Sequence, residues 1–480
     1  MTATSLSTGP ENIAGYADAP KTRGRVALLR WRSKIAKLAI TASPIVLIGL
    51  LNMAMSMTDM LMLGRYDPQG LAAVVVVSDV YSIVFNFSAG FAGVVTPRVA
   101  HAIGAGYPWH ACTIVRRAWL LVLGVSAVGT LLVLLSAGLL AQLGMAHAGK
   151  AAAYASYMAG TYLFMVLFAL VRATLSAMGR PALAVVAIVA ALPVKIAANF
   201  AFIQGAWGAP ELGVAGAGLA SLLVSALMGG SLTIYLLSSS SFAPFDRAEP
   251  GTFKLDGYGL LARSGMLMGL IAVSETGVFL ASTIVIGLLA PADLVVHAPT
   301  FRAIAVGYLL IAGVGQAVTI RMAQLHGGTS SRLKAHAEHA MTTCAIALVA
   351  LLLAVLVFGS APLGWLLSQT VHGGADIAVR ISSLLWVAGP TLAALVPAHM
   401  ITAILRARND VTIPTVLTIV SYWGVALPIM MIFAARGMGA WGVWLGLLGG
   451  AVAASIAFLL YFRGRAYWRL RKASLRLHPC

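Results

Sequence analysis

The sequence predicts an all-α integral membrane protein with twelve transmembrane helices. They form two six-helix bundles related by a pseudo-two-fold axis along the membrane normal. Three observations carry this. Hydrophobic residues make up 60% of the 480 residues and charged ones only 10%, with a mean hydropathy of +0.92. A soluble domain runs nearer half apolar and a quarter charged. Long apolar stretches recur between short polar breaks, each enough for the roughly 20 residues that cross a bilayer core. The two halves of the chain also resemble each other at an offset of about 225 residues.

The apolar stretches place spans at 35–62, 70–103, 113–142, 151–178, 182–204, 213–238, 258–289, 294–325, 335–367, 377–405, 412–434 and 440–462. Lipid offers no partner to an unpaired backbone group, so a span is either a helix or part of a closed barrel. Ten-residue segments of alternating polarity would mark a barrel, and the sequence has none, so the spans are expected to be helices. The organisation is then a flexible basic leader over 1–34, a first bundle over 35–240, a linker over 241–257, a second bundle over 258–463 and a basic tail over 464–480. The leader lacks the apolar core and small-residue cleavage site of a signal peptide.

A net charge of +18 raises the question of nucleic acid, and its distribution argues against it. The N-terminal arm carries Lys21, Arg23, Arg25, Arg30, Arg32, Lys34 and Lys37, and the C-terminal arm Arg463, Arg465, Arg469, Arg471, Lys472 and Arg476. Thirteen more, among them Arg98, Arg172, Arg180, Arg321 and Arg406, fall in or beside loops on the same side, giving 26 of the 32 Lys and Arg. Cytoplasmic loops are enriched in these residues, so both termini are expected in the cytoplasm. The basic arms then read as orientation and anionic-lipid signals. Cys112, Cys344 and Cys480 have no metal or redox spacing. Cys480 is the last residue, whereas a prenylated Cys is fourth from the end.

The repeat shows at three places. Thr96-Pro97-Arg98-Val99-Ala100 with Gly104 aligns with Thr319-Ile320-Arg321-Met322-Ala323 with Gly327, both at the cytoplasmic end of the second span of a half. Gly213 and Gly216 open span six as Gly439 and Gly442 open span twelve. The break Met178-Gly179-Arg180-Pro181 corresponds to Arg408-Asn409-Asp410 with Pro414. Six spans per half give both repeats the same orientation, the arrangement of transporters that bind near the midplane and rock one bundle against the other.

Several motifs resemble the multidrug and toxic compound extrusion (MATE) family, nearest its bacterial NorM-like branch. They are Pro44 in span one, Thr58 to Gly64, Leu71-Ala72-Ala73, Thr96 to Gly106, Phe202 to Gly205 with Pro210 to Gly216, and Thr319 to Gly327. Their order and spacing run from span one to span twelve. The resemblance implies a V-shaped pair of bundles and efflux of small molecules driven by a proton or sodium gradient.

Ionisable groups inside a span are costly and rare, so each is a candidate for function. Asp59, late in span one, can take up a proton or ligate sodium, and it matches the family's acidic position in that span. Glu275, mid-span in segment seven, matches the acidic position of the NorM-like branch and is suited to a proton or a cationic substrate group. Lys195 and Asn199 share one face of span five through their i, i+4 spacing. The resemblance aims that face at Asp59, although the family pattern usually has neutral or acidic residues there. Lys195 as a fixed counter-ion would occupy the place of sodium and favour protons; the other reading has it snorkelling to a surface. In span ten the family's acid is replaced by Leu395, and His399, one turn on, is a titratable substitute or a packing residue. Asp79 in span two, Arg172 in span four and Arg302 in span eight complete the candidates, for substrate contact or structure. His297 occupies a family His position or starts a helix.

No G-x-x-x-x-G-K-[ST] loop occurs, and His336-Ala337-Glu338-His339 has the wrong order for a zinc site. No G-x-S-x-G elbow or cysteine metal cluster occurs either, so neither an enzyme nor a metal site is expected. The expectation is a secondary antiporter for small amphipathic, often cationic compounds in a bacterial inner membrane, coupled to H+ or, second, to Na+. It has no cofactor, its partners are substrate and membrane lipid, and it acts as a monomer. A flippase for a lipid-linked oligosaccharide, using Lys195, Arg172 and Arg302 as a cationic lining, is the alternative, as is a dedicated metabolite exporter.

Overall fold

A computed structural model describes residues 19–142, 148–238, 256–328, 331–369 and 375–477. Among these, all regular structure is helical. Span one is α1 (Ala19–Tyr66), and span two is α2 (Pro68–Ala92) continued by α3 (Val95–Gly104). Spans three to seven are α4 (Pro108–Gln142), α5 (Ala148–Ala177), α6 (Ala182–Gln204), α7 (Val214–Ser238) and α8 (Asp256–Leu289). Spans eight to ten are α9 (Leu294–Gly328), α10 (Ser331–Gln369) and α11 (Ala375–Ala407). Span eleven joins α12 (Thr412–Ile419) to α13 (Leu427–Phe433) through a π-helical stretch, Val420–Ala426, and span twelve is α14 (Gly439–Leu477).

Among the described residues the crossings number twelve. Ten helical stretches are long and apolar enough on their own. The last of them, Thr412–Gly464, has 53 residues and would be about 80 Å long if straight. It turns back where Gly437 and Gly439 adopt positive φ of 82° and 55°, a conformation that suits glycine, so it is two crossings. Span nine supplies the twelfth as Ala347–Val355 and Phe358–Gln369, bent by 56°. Pro362 lacks the N–H that would bond the Phe358 carbonyl, and its ring crowds that turn.

Two expectations shift. Span two is broken at Gly93 and Val94, where the Gly93 N–H closes onto the Ala89 and Gly90 carbonyls. Helix α1 begins at Ala19, so residues 19–34, expected in a flexible leader, are helical and continuous with span one, and α14 likewise extends through the expected tail to Leu477. Residues 1–18, most of the linker and 478–480 lie outside the described residues.

Water does not drive helices together in lipid, so contact comes from close packing of small residues. Spans four and ten, equivalent in the repeat, are the buried centres of their bundles, each 67% buried over its apolar window. Spans one, two and five are only 22 to 28% buried, and large side chains such as Ile234, Leu288 and Phe358 face outward.

The halves meet through spans one and two on one side and seven and eight on the other. Two glycines cross where the halves meet. A Cβ on Gly104 would lie 2.1 Å from the Gln324 carbonyl oxygen, and one on Gly327 would lie 2.2 Å from that of His101. Each contact is the other shifted by 223 residues. The Arg98 guanidinium donates to Ser264 Oγ at 2.8 Å and to the Leu260 carbonyl at 3.3 Å. Arg321 donates to Thr41 Oγ1 at 3.0 and 3.2 Å. Thr41 and Ser264 are again 223 apart. Gln316 Nε2 to Thr96 Oγ1 (3.1 Å) and Gln324 Nε2 to the Ala177 carbonyl (3.4 Å) complete this seam. These four side-chain contacts between the halves lie at one end of the molecule.

The opposite end carries a second pair of equivalents, each inside one half. Asp67 caps α2 through the Gly70 N–H and pairs with Lys150 at 2.5 Å. Asp293 accepts from the Ala440 N–H at the start of α14 and pairs with Arg380 at 2.5 Å. Tyr66 donates to Glu211 beside the first of these.

Candidate functional site

Each bundle holds a carboxylate cluster inside its apolar wall. In the first, span one presents Asp59 to spans five and six. Lys195 Nζ lies 2.9 Å from Asp59 Oδ1, with side chains only 4% and 19% exposed. Asn199 Nδ2 donates to the same oxygen at 2.6 Å, so the i, i+4 pair on span five converges on one carboxylate. Ser221 Oγ of span six takes a 2.5 Å hydrogen bond from Lys195 and stands 3.5 Å from Asp59 Oδ2. Lys195 does not snorkel. Asn199 Oδ1 is buried with no hydrogen-bond partner. A buried charge is tolerated where it is paired and its remaining hydrogens are satisfied, and Asp59 with Ser221 does this for the ammonium.

In the second bundle, span seven presents Glu275 to spans eight and ten. Tyr308 OH donates to Glu275 Oε2 at 2.8 Å. His399 Nε2 lies 3.6 Å from Glu275 Oε1 and 3.4 Å from Tyr308 OH, and the Tyr308 and His399 rings meet edge to face at 5.4 Å. His399 Nδ1 faces the Leu395 carbonyl at 3.0 Å, one turn back on its own helix. Tyr422, buried on the π-helical stretch of span eleven, and Arg406, near the end of span ten, are within electrostatic range of Glu275. A π-helical turn re-aims the side chains it carries and occurs often at functional sites.

The two clusters break the repeat. Asp59 and Glu275 are 216 residues apart against the 223 of the contacts between halves, a difference of seven residues. That is two helical turns, or about 10 Å along the span.

Of the other candidates, Asp79 and Arg302 are exposed, Arg172 is half-buried, and none is in hydrogen-bond or ion-pair contact with either cluster. His297 is buried and fully engaged. Trp444 Nε1 donates to its Nδ1 at 3.2 Å, which leaves the hydrogen on Nε2, 3.1 Å from Thr283 Oγ1. It ties spans seven, eight and twelve together. Among the described residues, no three His, Cys, Asp or Glu side chains gather as a metal site would require. The sequence reading missed Ser221, Tyr308 and Tyr422. A lone tyrosine in an apolar run was the available signal for Tyr308; nothing in the sequence marks the π-helical turn that carries Tyr422.

The family model MatE matches this chain over residues 44–201 and again over 268–432. The protein belongs to the MatE family. The two MatE segments begin 224 residues apart, which is the internal repeat seen from outside the chain. Among curated relatives, the probable multidrug resistance protein NorM of Bradyrhizobium diazoefficiens is 29% identical over 438 residues, covering 88% of this chain and 91% of that one. Its namesake from Mesorhizobium japonicum is 27% identical over 460 residues, covering 90% and 94%. A crystal structure of a MATE protein in its bent conformation superposes with a TM-score of 0.79 at 19% identity, covering 92% of this chain and 97% of that one. The two-bundle, twelve-helix architecture is thus common to both MatE structures.

Proposed function

We propose that this chain is a multidrug efflux antiporter of the MatE family, exporting small amphipathic and often cationic compounds against an inward flow of cations. The observation that carries it is one membrane-buried carboxylate per bundle, each held by a side chain of opposite or titratable charge. Ion uptake at such a site changes the charge inside a bundle, and so biases how the bundles pack. The NorM names of relatives along most of the chain support the multidrug reading.

Asp59, Lys195, Asn199 and Glu275 are the ion-coupling residues in this reading, and His399 stands beside Glu275. Protons are the favoured ion, because the Lys195 ammonium already occupies the cation position at Asp59. The protein acts as a monomer in a bacterial inner membrane with both termini in the cytoplasm. The Arg98 and Arg321 seam then lies at the cytoplasmic end and holds it closed in this conformation. The flippase alternative needs a cationic lining, and the pairing of Lys195 with Asp59 counts against it.

Purified protein in liposomes, given a fluorescent organic cation and either a pH or a sodium gradient alone, tests this. Movement with the pH gradient is the expected result. Movement with neither gradient, together with flipping of a labelled polyprenyl lipid, would overturn it.

A further inference from the structure

We infer that the second bundle carries its coupling proton between two residues, Glu275 and His399, with His399 Nε2 as the second acceptor. This deepens the antiport reading above and rests on it.

The geometry fixes the tautomer. A carbonyl oxygen only accepts, so the 3.0 Å contact from His399 Nδ1 to the Leu395 carbonyl puts the ring hydrogen on Nδ1. The nitrogen left to gain or lose a proton is Nε2, which faces Glu275 Oε1 at 3.6 Å. Tyr308 has one hydroxyl hydrogen. Its 2.8 Å bond to Glu275 Oε2 uses that hydrogen, so the 3.4 Å contact with Nε2 supplies none. The unloaded state therefore has a carboxylate facing a bare nitrogen lone pair, and nothing between them donates.

One added proton completes the site. On Nε2 it makes an imidazolium pointing at the carboxylate; on Oε1 it makes a carboxylic acid pointing at Nε2. Either way the proton lies between the same two atoms, and the charge of the Glu275 and His399 pair goes from minus one to zero.

Three neighbouring spans bring polar groups toward the pair. Span eight brings Tyr308, span ten brings Arg406 as well as His399, and span eleven brings Tyr422. None of these is a second carboxylate. Sodium and other hard cations need several oxygen ligands. One carboxylate, a tyrosine whose hydrogen is engaged and an imidazole do not provide them. The ion that fits is the proton.

The test uses the full-length protein in liposomes together with nitrogen NMR of 15N-histidine-labelled protein. In the wild type, the His399 signal should show the Nδ1–H tautomer at high pH and a single transition to the doubly protonated ring on acidification. Glu275→Gln should change the Nε2 chemical shift while leaving the hydrogen on Nδ1, since only Nε2 faces the carboxylate. His399→Gln should abolish transport driven by a pH gradient, and His399→Glu should restore it, since two neighbouring carboxyls also share one proton.

An Nε2–H tautomer at high pH, or an Nε2 chemical shift indifferent to Glu275→Gln, overturns the shared site even if His399→Gln fails to fold. So does full pH-driven transport by His399→Gln, which leaves antiport itself standing. A wild type moved by sodium alone also overturns it. A wild type moved by neither gradient removes the antiport reading beneath it, a result distinct from all of these.

Discussion

Lys195 places its ammonium 2.9 Å from Asp59 in the wall of the first bundle, and the two side chains are almost wholly shut off from solvent. The pair decides how that cluster behaves. In the first bundle the Lys195 ammonium thus stands where a free cation would meet the Asp59 carboxylate. In the other bundle the Glu275 carboxylate faces His399 Nε2 at 3.6 Å instead.

Lys195→Met should therefore leave an uncompensated carboxylate in an apolar wall. Breaking one partner of a buried pair costs about 3–5 kcal/mol, whereas replacing both with apolar or neutral groups is often neutral. Thermal unfolding in detergent should show Lys195→Met strongly destabilised and the Asp59→Asn, Lys195→Met double variant recovering most of the loss. Equal melting temperatures for the single and double variants would mean the pair does not carry the stability assigned to it.

How much of this was legible follows from what lipid does to a helix. Each span was visible because it is apolar over a bilayer's thickness, and the repeat because Thr96 to Gly104 and Thr319 to Gly327 match. The meeting of Lys195, Asn199 and Asp59 was readable from the i, i+4 spacing together with the family resemblance. The meeting of His399 with Glu275 was not. A helix with a polar face declares its rotation, but spans seven and ten are apolar nearly all round, so which face turns inward is set by packing alone. The Gly93 break and the π-helical turn at Tyr422 escaped for a similar reason, since both are tertiary adjustments with no local code. Arg98 and Arg321, read as cytoplasmic loop charges, point back into the opposite half.

Those two arginines form a symmetric latch. Arg98 to Ser264 and Arg321 to Thr41 are the same contact made twice across the pseudo-axis. A hydrogen bond to a charged group contributes about 1.5–3 kcal/mol. Losing both should shift the balance between the two conformations by about a hundredfold or more. Spin-label distances across the seam, in a background where Cys112, Cys344 and Cys480 are replaced, should lengthen in Arg98→Gln, Arg321→Gln. Each single variant should give roughly half the free-energy effect. An unchanged distance distribution in the double variant would show that the glycine crossing alone holds this end.

The ion pairs at the other end should behave in the opposite way. Lys150 and Arg380 have side chains 46% and 47% exposed, and exposed pairs contribute about 0–1 kcal/mol. Lys150→Met and Arg380→Met should each lower the melting temperature slightly, by an amount that shrinks as salt is raised. A large, salt-independent loss would mean that capping by Asp67 and Asp293 depends on these partners.

The glycine crossing offers the sharpest test of bundle movement. Any side chain at position 104 would meet the Gln324 carbonyl at 2.1 Å, and any at 327 the His101 carbonyl at 2.2 Å. Real Cβ atoms do not approach backbone so closely, and carbonyls on two helices cannot move aside as a flexible side chain can. Gly104→Ala and Gly327→Ala should therefore prevent this end from closing while leaving each bundle intact, because the atoms nearest either added Cβ belong to the opposite half. The expected outcome is normal expression and secondary structure, loss of transport, and a spin-label distance across the seam fixed at its longer value. The two variants should match, since the repeat makes the contacts equivalent. If transport and the short distance both survived Gly104→Ala, the backbone crossing would not be the point on which the bundles close.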